Sequence, residues 1–185
     1  SMGEGLVALR LADLRDLGES IETCAKWGNE NAFKVNSFFT VDDLKYLSRS
    51  GRISKTVAIA GTLLNVKPIL QADGSKNAKI TAYAKARGRK KALATIADIF
   101  ARRAERPESQ TVAITHADCL QDAQMLADMI RERGAKDIII EYYDLCTVSH
   151  VGPGTLALFF WGTDRRNAAT AAETQPAAKT IPKNA

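Results

Sequence analysis

The sequence predicts a layered α/β/α domain on a mixed, partly antiparallel sheet. Three observations carry that prediction. From residue 79 to residue 143 strand-like and helix-like periodicities alternate, the order expected when helices pack on a sheet. Ahead of them, segments 66–71 and 79–87 are strand-length and joined by Ala72, Asp73, Gly74 and Ser75, which is hairpin turn chemistry. The most apolar run, Leu156 to Trp161, has strand length and reads as a buried strand.

The elements follow in order. Val7, Leu11 and Leu14 recur at helical spacing ahead of Gly18, so residues 4–17 read as an amphipathic helix with a glycine stop. Ser20 can cap a second helix in which Ile21, Cys24, Ala25 and Gly28 share a face. Residues 32–39 are strand-like. Thr40 followed by Asp43 resembles a capping box, opening a helix that buries Val41, Leu44 and Leu47. Ser54 can cap a short apolar helix running to about Leu64. Along 79–87, Ile80, Ala82, Ala84 and Ala86 point one way and Lys79, Thr81, Tyr83, Lys85 and Arg87 the other. Leu93, Ile96, Ala97 and Phe100 then mark a helix packed on the sheet, and Ala123, Leu126, Ala127 and Ile130 mark another. Residues 111–115 read as a strand after the first of these helices, and residues 138–143 as a buried strand after the second. The division expected is a helical segment over 1–30, an α/β unit over 31–162, and a disordered Ala-, Thr-, Lys- and Pro-rich tail over 163–185.

Composition bounds the function. The 185 residues are 45% hydrophobic and 25% charged, ordinary for a globular domain with a real core. No apolar run approaches the ~18 residues of a membrane span, and no signal peptide opens the chain. Three cysteines, an odd number without C-x-x-C spacing, suggest reduced thiols, so the expected compartment is the cytoplasm. A formal net charge of +5 favours acidic partners without saying which.

The densest chemistry lies in Thr147 to Thr155. His150, one of two histidines, stands just before Gly152, Pro153 and Gly154, where both glycines permit positive φ. A titratable group at the mouth of an apolar wall suits a ligand with a charged head and a greasy tail; a core histidine beside a structural turn is the plainer alternative. A second candidate is the basic run Lys85, Arg87, Arg89, Lys90 and Lys91, which leads into a helix N-terminus where cations are unfavourable. An anionic partner would account for it, as would a solvated surface. A nucleic-acid-binding domain using Lys85 to Lys91 is the alternative function, with Tyr83 as the nearby stacking platform. His116, Asp118 and Cys119 are potential metal ligands without a second cluster, so a strand-end histidine capping a helix start is the simpler reading. Ser149 beside His150 invites a nucleophile–base reading, although no G-x-S-x-G elbow is present. No phosphate-binding glycine loop appears.

Taken together, several stretches resemble the DegV family. They are Thr40 to Leu47 with the Gly51, Arg52, Ile53, Ser54 motif, then Leu64, then Val66 to Leu70, then Arg87 to Leu93, then His150 to Thr155, all in matching order. The resemblance covers roughly residues 1–162 and implies the carboxy-terminal-lobe type of that fold. It implies a bacterial protein that binds a long-chain fatty acid in an apolar tunnel and presents the carboxylate to a fatty acid kinase for acyl-phosphate formation, serving phospholipid synthesis. Such a protein is a carrier and not an enzyme, with the fatty acid as ligand and no other cofactor or metal. On that resemblance His150 matches the carboxylate-binding histidine, while Arg87, Arg52 and Arg89 are kinase-docking candidates. Leu156, Leu158 and Phe160 are tunnel candidates by strand alternation. The family's amino-terminal lobe, with further carboxylate-binding hydroxyls, has no counterpart here, so half of the head-group site is expected to be missing.

Overall fold

The computed structural model describes residues 1–53, 65–73 and 79–166. Helices α1 (Met2–Asp16) and α2 (Ile21–Asn31) come first, then strand β1 (Val35–Thr40) and a short helix α3 (Lys45–Arg49). The hairpin β2 (Val66–Asp73) and β3 (Lys79–Arg87) follows. After it come α4 (Arg89–Arg103), β4 (Thr111–His116), α5 (Leu120–Arg131), β5 (Asp137–Tyr142), α6 (Leu145–Val151) and β6 (Leu156–Trp161). The helix expected from Ser54 to about Leu64 lies outside the described residues, as do Gly74 and Ser75 of the hairpin turn.

The six strands of the described residues form one mixed sheet in the order β3-β2-β1-β6-β4-β5. Only β4 and β5 run parallel, joined by α5; every other neighbouring pair is antiparallel. The α/β/α fold is therefore as the periodicities predict. β6 sits between β1 and β4, which explains its continuous apolar run: a central strand is buried on both faces. Leu156, Leu158 and Phe160 pack with Phe38, Leu93 and Phe100 beneath α4 and α5. Ala157 and Phe159 face the opposite layer, with Leu6 of α1, Phe39, Leu47 and Leu70.

Four expectations change. The clean alternation along β3 is interrupted: Ile69 pairs with Ala84 but Leu70 pairs with Ala82, so Tyr83 is the extra residue of a bulge. Ala84, Ala86 and Tyr83 consequently pack on the α4 side while Ile80 packs against the opposite cluster. The capping box at Thr40 does not form. Thr40 ends β1 fully buried, and Asp43 instead accepts a hydrogen bond from the Lys45 amide at 2.8 Å. β5 is an edge strand, with Ile138, Ile139 and Ile140 only partly buried. Finally, the α1–α2 pair buries only Leu6 fully, and Leu17 and Ile21 are exposed. Of the expected tail, residues 163–166 pack back: Asn36 donates to the Thr163 carbonyl at 2.9 Å and the Arg166 guanidinium lies 4.5 Å over Phe33.

Candidate functional site

The Gly-Pro-Gly turn is entered from a helix and not from a strand. Asp144 starts α6 by accepting hydrogen bonds from the Thr147 amide at 2.8 Å and the Thr147 hydroxyl at 2.6 Å. Those two donors hold the Asp144 carboxyl below the usual carboxylate range. His150 stands in the last turn of α6, half-buried. Gly152 and Gly154 adopt φ of +82° and +74°, as their pattern predicts. The structure adds why no side chain fits. A Cβ on Gly152 would clash with the Tyr46 ring, and one on Gly154 would clash with the Asp42 carboxylate. The segment that follows β1 is thus keyed into the turn through both glycines.

A third contact joins the same two segments. The Ser50 hydroxyl donates to the His150 carbonyl at 3.4 Å, and the Arg52 guanidinium lies 3.5 Å from His150 Nε2 while donating to the Ser50 carbonyl at 2.6 Å. The fold therefore brings Arg52 and His150 together from positions 98 residues apart. An exposed guanidinium beside an imidazole can donate convergent hydrogen bonds to one carboxylate or phosphate. Directly behind them, Val151, Ile53 and Leu47 belong to the apolar cluster on the α1 face of the sheet. The arrangement sets a guanidinium and an imidazole at the edge of an apolar layer.

The basic run divides into two kinds of residue. Arg89 is largely covered: its Nε donates to Asp122 at 2.8 Å, and its Nη1 lies 3.7 Å from Asp42. Two carboxylates thus neutralise the cation at the start of α4, where the helix dipole alone would disfavour it. Lys85, Arg87, Lys90 and Lys91 are exposed and make no ion pair among the described residues. Tyr83 is a poor stacking platform for a nucleic acid, because it packs edge-on to Phe38 at 5.1 Å and is partly buried against the core. No contact joins Arg87 to Arg52 or His150 among the described residues.

Leu156, Leu158 and Phe160 are fully buried in the layer under α4 and α5, the sheet face opposite to the cluster behind His150. Tyr143 borders that second cluster, and burial pushes its phenol up to about 12. Nothing local in the sequence gives Asp42, Tyr46, Ser50 or Lys67 a part in this turn. The two turn glycines were the available signal, since they announce a close approach without saying what approaches.

Other candidates resolve into structure. His116 Nδ1 accepts from the Cys119 amide at 3.4 Å, the helix-start capping expected of it, and its ring lies 4.3 Å from Tyr142. No group of three or more potential metal ligands forms among the described residues. Ser149 donates its hydroxyl to the Cys146 carbonyl at 2.7 Å, so the Ser149–His150 pair is not hydrogen-bonded as nucleophile and base. All three cysteines are free. No helix of the described residues is long and apolar enough to cross a membrane. A cleft of about 450 Å³ lined by Trp27, Trp161 and Arg10 lies at the opposite end of the sheet, and its rim carries both signs of charge.

Known proteins resemble this chain in sequence and in fold. The family model described as "Uncharacterised protein, DegV family COG1307" matches residues 1–163. A DegV domain-containing protein of Clostridium perfringens is 43% identical over 162 residues, which is 87% of this chain and 55% of that protein. The chain thus spans about half the length of the curated relatives it matches. Among solved structures, "Fatty Acid Binding of a DegV family Protein from Thermus thermophilus" superposes with a TM-score of 0.78 at 28% identity, over 88% of this chain and 57% of that one. The Streptococcus pneumoniae Fatty Acid Kinase (Fak) B3 protein loaded with linoleic acid shares the fold, with a TM-score of 0.75 at 24% identity over 84% and 54% of the two chains.

Proposed function

The chain belongs to the DegV family, and on that footing we propose that it is the lobe of a fatty-acid carrier that holds the acyl carboxylate at His150. One observation carries the reading: His150 Nε2 and the Arg52 guanidinium stand 3.5 Å apart on the rim of an apolar cluster. The energetics favour such a guest. A tail of roughly fifteen methylenes, at ~0.8 kcal/mol each, gains on the order of 12 kcal/mol on leaving water. Burying its carboxylate without donors would cost several kcal/mol. Arg52 and His150 supply charge-assisted donors that offset this cost.

Because the donors sit on the α1 face of the sheet, the acyl chain runs along Leu47, Ile53, Leu70 and Phe39 rather than along Leu156, Leu158 and Phe160. The exposed Lys85, Arg87, Lys90 and Lys91 then form a rim that recruits a fatty acid kinase, whose acyl-phosphate chemistry takes place on the partner. The present chain serves as a carrier and supplies no catalytic group. Titrating the 185-residue chain with oleate by calorimetry tests the reading. Saturable but weak binding is expected, because the chain spans about half the length of its relatives, and His150→Ala should weaken it further by about ten- to a hundredfold, the worth of one charge-assisted hydrogen bond. No saturable binding by the unaltered chain overturns the proposal, and equal affinity of the variant removes His150 from the site.

A further inference from the structure

A chain of charges runs from the start of α4 to the His150 turn. Asp122 of α5 holds Arg89 at 2.8 Å, Arg89 approaches Asp42 at 3.7 Å, and Lys67 of β2 donates to Asp42 at 2.6 Å. Asp42 in turn occupies the space a Cβ would take on Gly154. The Gly154 amide donates to the Ala117 carbonyl at 2.7 Å, and Thr155 donates its hydroxyl to the Val151 carbonyl at 3.0 Å, so the turn is pinned on its far side too. Tyr46 and Ser50, from the same segment as Asp42, meet Gly152 and the His150 carbonyl. Lys67 thus hydrogen-bonds Asp42, Arg89 lies within ion-pair distance of it, and Asp42 packs against the turn at Gly154.

We propose that Asp42, held by Lys67 and Arg89 against Gly154, is a positioning residue that fixes the His150 ring beside Arg52. The inference rests on His150 as the head-group ligand proposed above. It also changes the part assigned to Arg89, which acts on the site through Asp42 and belongs to the interior rather than to the docking rim. Surface duty falls to Lys85, Arg87, Lys90 and Lys91. A rigid wedge of this kind matters because a carboxylate ligand is held only while both donors converge on one point.

The test uses the full 185-residue chain in two readouts. The first needs no ligand: ring nitrogen–proton correlations of the two histidines by NMR, in the unaltered chain and in Asp42→Ala. The His150 signals should move while those of His116 stay in place and report an intact sheet. The second is a double-mutant cycle in oleate affinity. Asp42→Ala should lower affinity about tenfold in the unaltered background and leave it unchanged in His150→Ala, because the lost contact acts only through His150. Unmoved His150 signals, or an equal loss in both backgrounds, overturn the proposal. Absence of oleate binding by the unaltered chain would instead sink the carrier reading, and the ring signals would still decide the positioning claim. Should Asp42→Ala fail to fold, Asp42→Asn keeps the shape, removes the charge, and is held to the same two outcomes.

Discussion

His116 shows how much one buried polar side chain can do without touching a ligand. Its ring is almost wholly covered at the end of β4, where Nδ1 caps the start of α5 as a neutral acceptor. Burial lowers its affinity for a proton below the ordinary value of 6.5, despite the opposing pull of Asp118. The unfolded chain therefore binds a proton that the native ring refuses. The stabilisation is complete above pH 6.5 and is lost as pH falls from there through the lower native value. Urea unfolding between neutral and mildly acid pH should show this decline in the native chain and a flatter profile in His116→Gln. Parallel profiles would refute it. This residue was partly legible beforehand, because a histidine followed three positions later by a helix start matches a capping arrangement. Asp42 was not, since nothing local to residues 40–46 announces a glycine that lies more than a hundred positions away.

The elements that pack are those with a clear period. In β6 the unbroken apolar run is a consequence of central placement, with one face meeting Phe38 and Phe100 and the other meeting α1. Phe160 lies edge-on to Phe100 at 5.1 Å and parallel to Phe38 at 6.2 Å, fully enclosed. Phe160→Ala should cost about 3–5 kcal/mol of unfolding free energy, as large-to-small changes at enclosed aromatics do. A loss below about 1 kcal/mol in denaturant titration would mean that the layer under α4 and α5 collapses freely around the void. β3 teaches the opposite lesson. Its alternation of small apolar and larger polar residues looks uninterrupted, yet the bulge at Tyr83 exchanges the two faces midway. Small residues such as Ala82 and Ala84 tolerate either side, so the pattern does not oppose the slip. α6 is illegible for a related reason: seven residues are too few to display a helical period, and only the Asp144 cap marks it.

Across the whole molecule, charge is distributed by role. Arg89 and Lys67 are paired with Asp42 and Asp122, whereas Lys85, Arg87, Lys90 and Lys91 remain in solvent without ion pairs among the described residues. Exposed cations on a rim mainly govern encounter with an acidic partner and its salt dependence. On the carrier reading, Arg87→Glu should leave oleate affinity within about twofold while slowing transfer to a cognate fatty acid kinase by about tenfold or more, since the change reverses a rim charge. Acyl-phosphate formation at the normal rate, measured with labelled ATP, would show that the basic run is solvated surface.

The amino-acid order alone determined the layers, the mixed sheet, the hairpin and the central burial of residues 156–161, because those depend on local periodicity and turn chemistry. It also marked His150, Gly152 and Gly154 as a place of close approach. Only the tertiary structure decided which face of β6 looks toward His150, that Arg52 is its neighbour, and that Arg89 points inward to Asp42 and Asp122. Those facts depend on contacts between residues 33 to 98 positions apart. Closing such loops is governed by sheet order and helix packing, which no short stretch of the chain encodes.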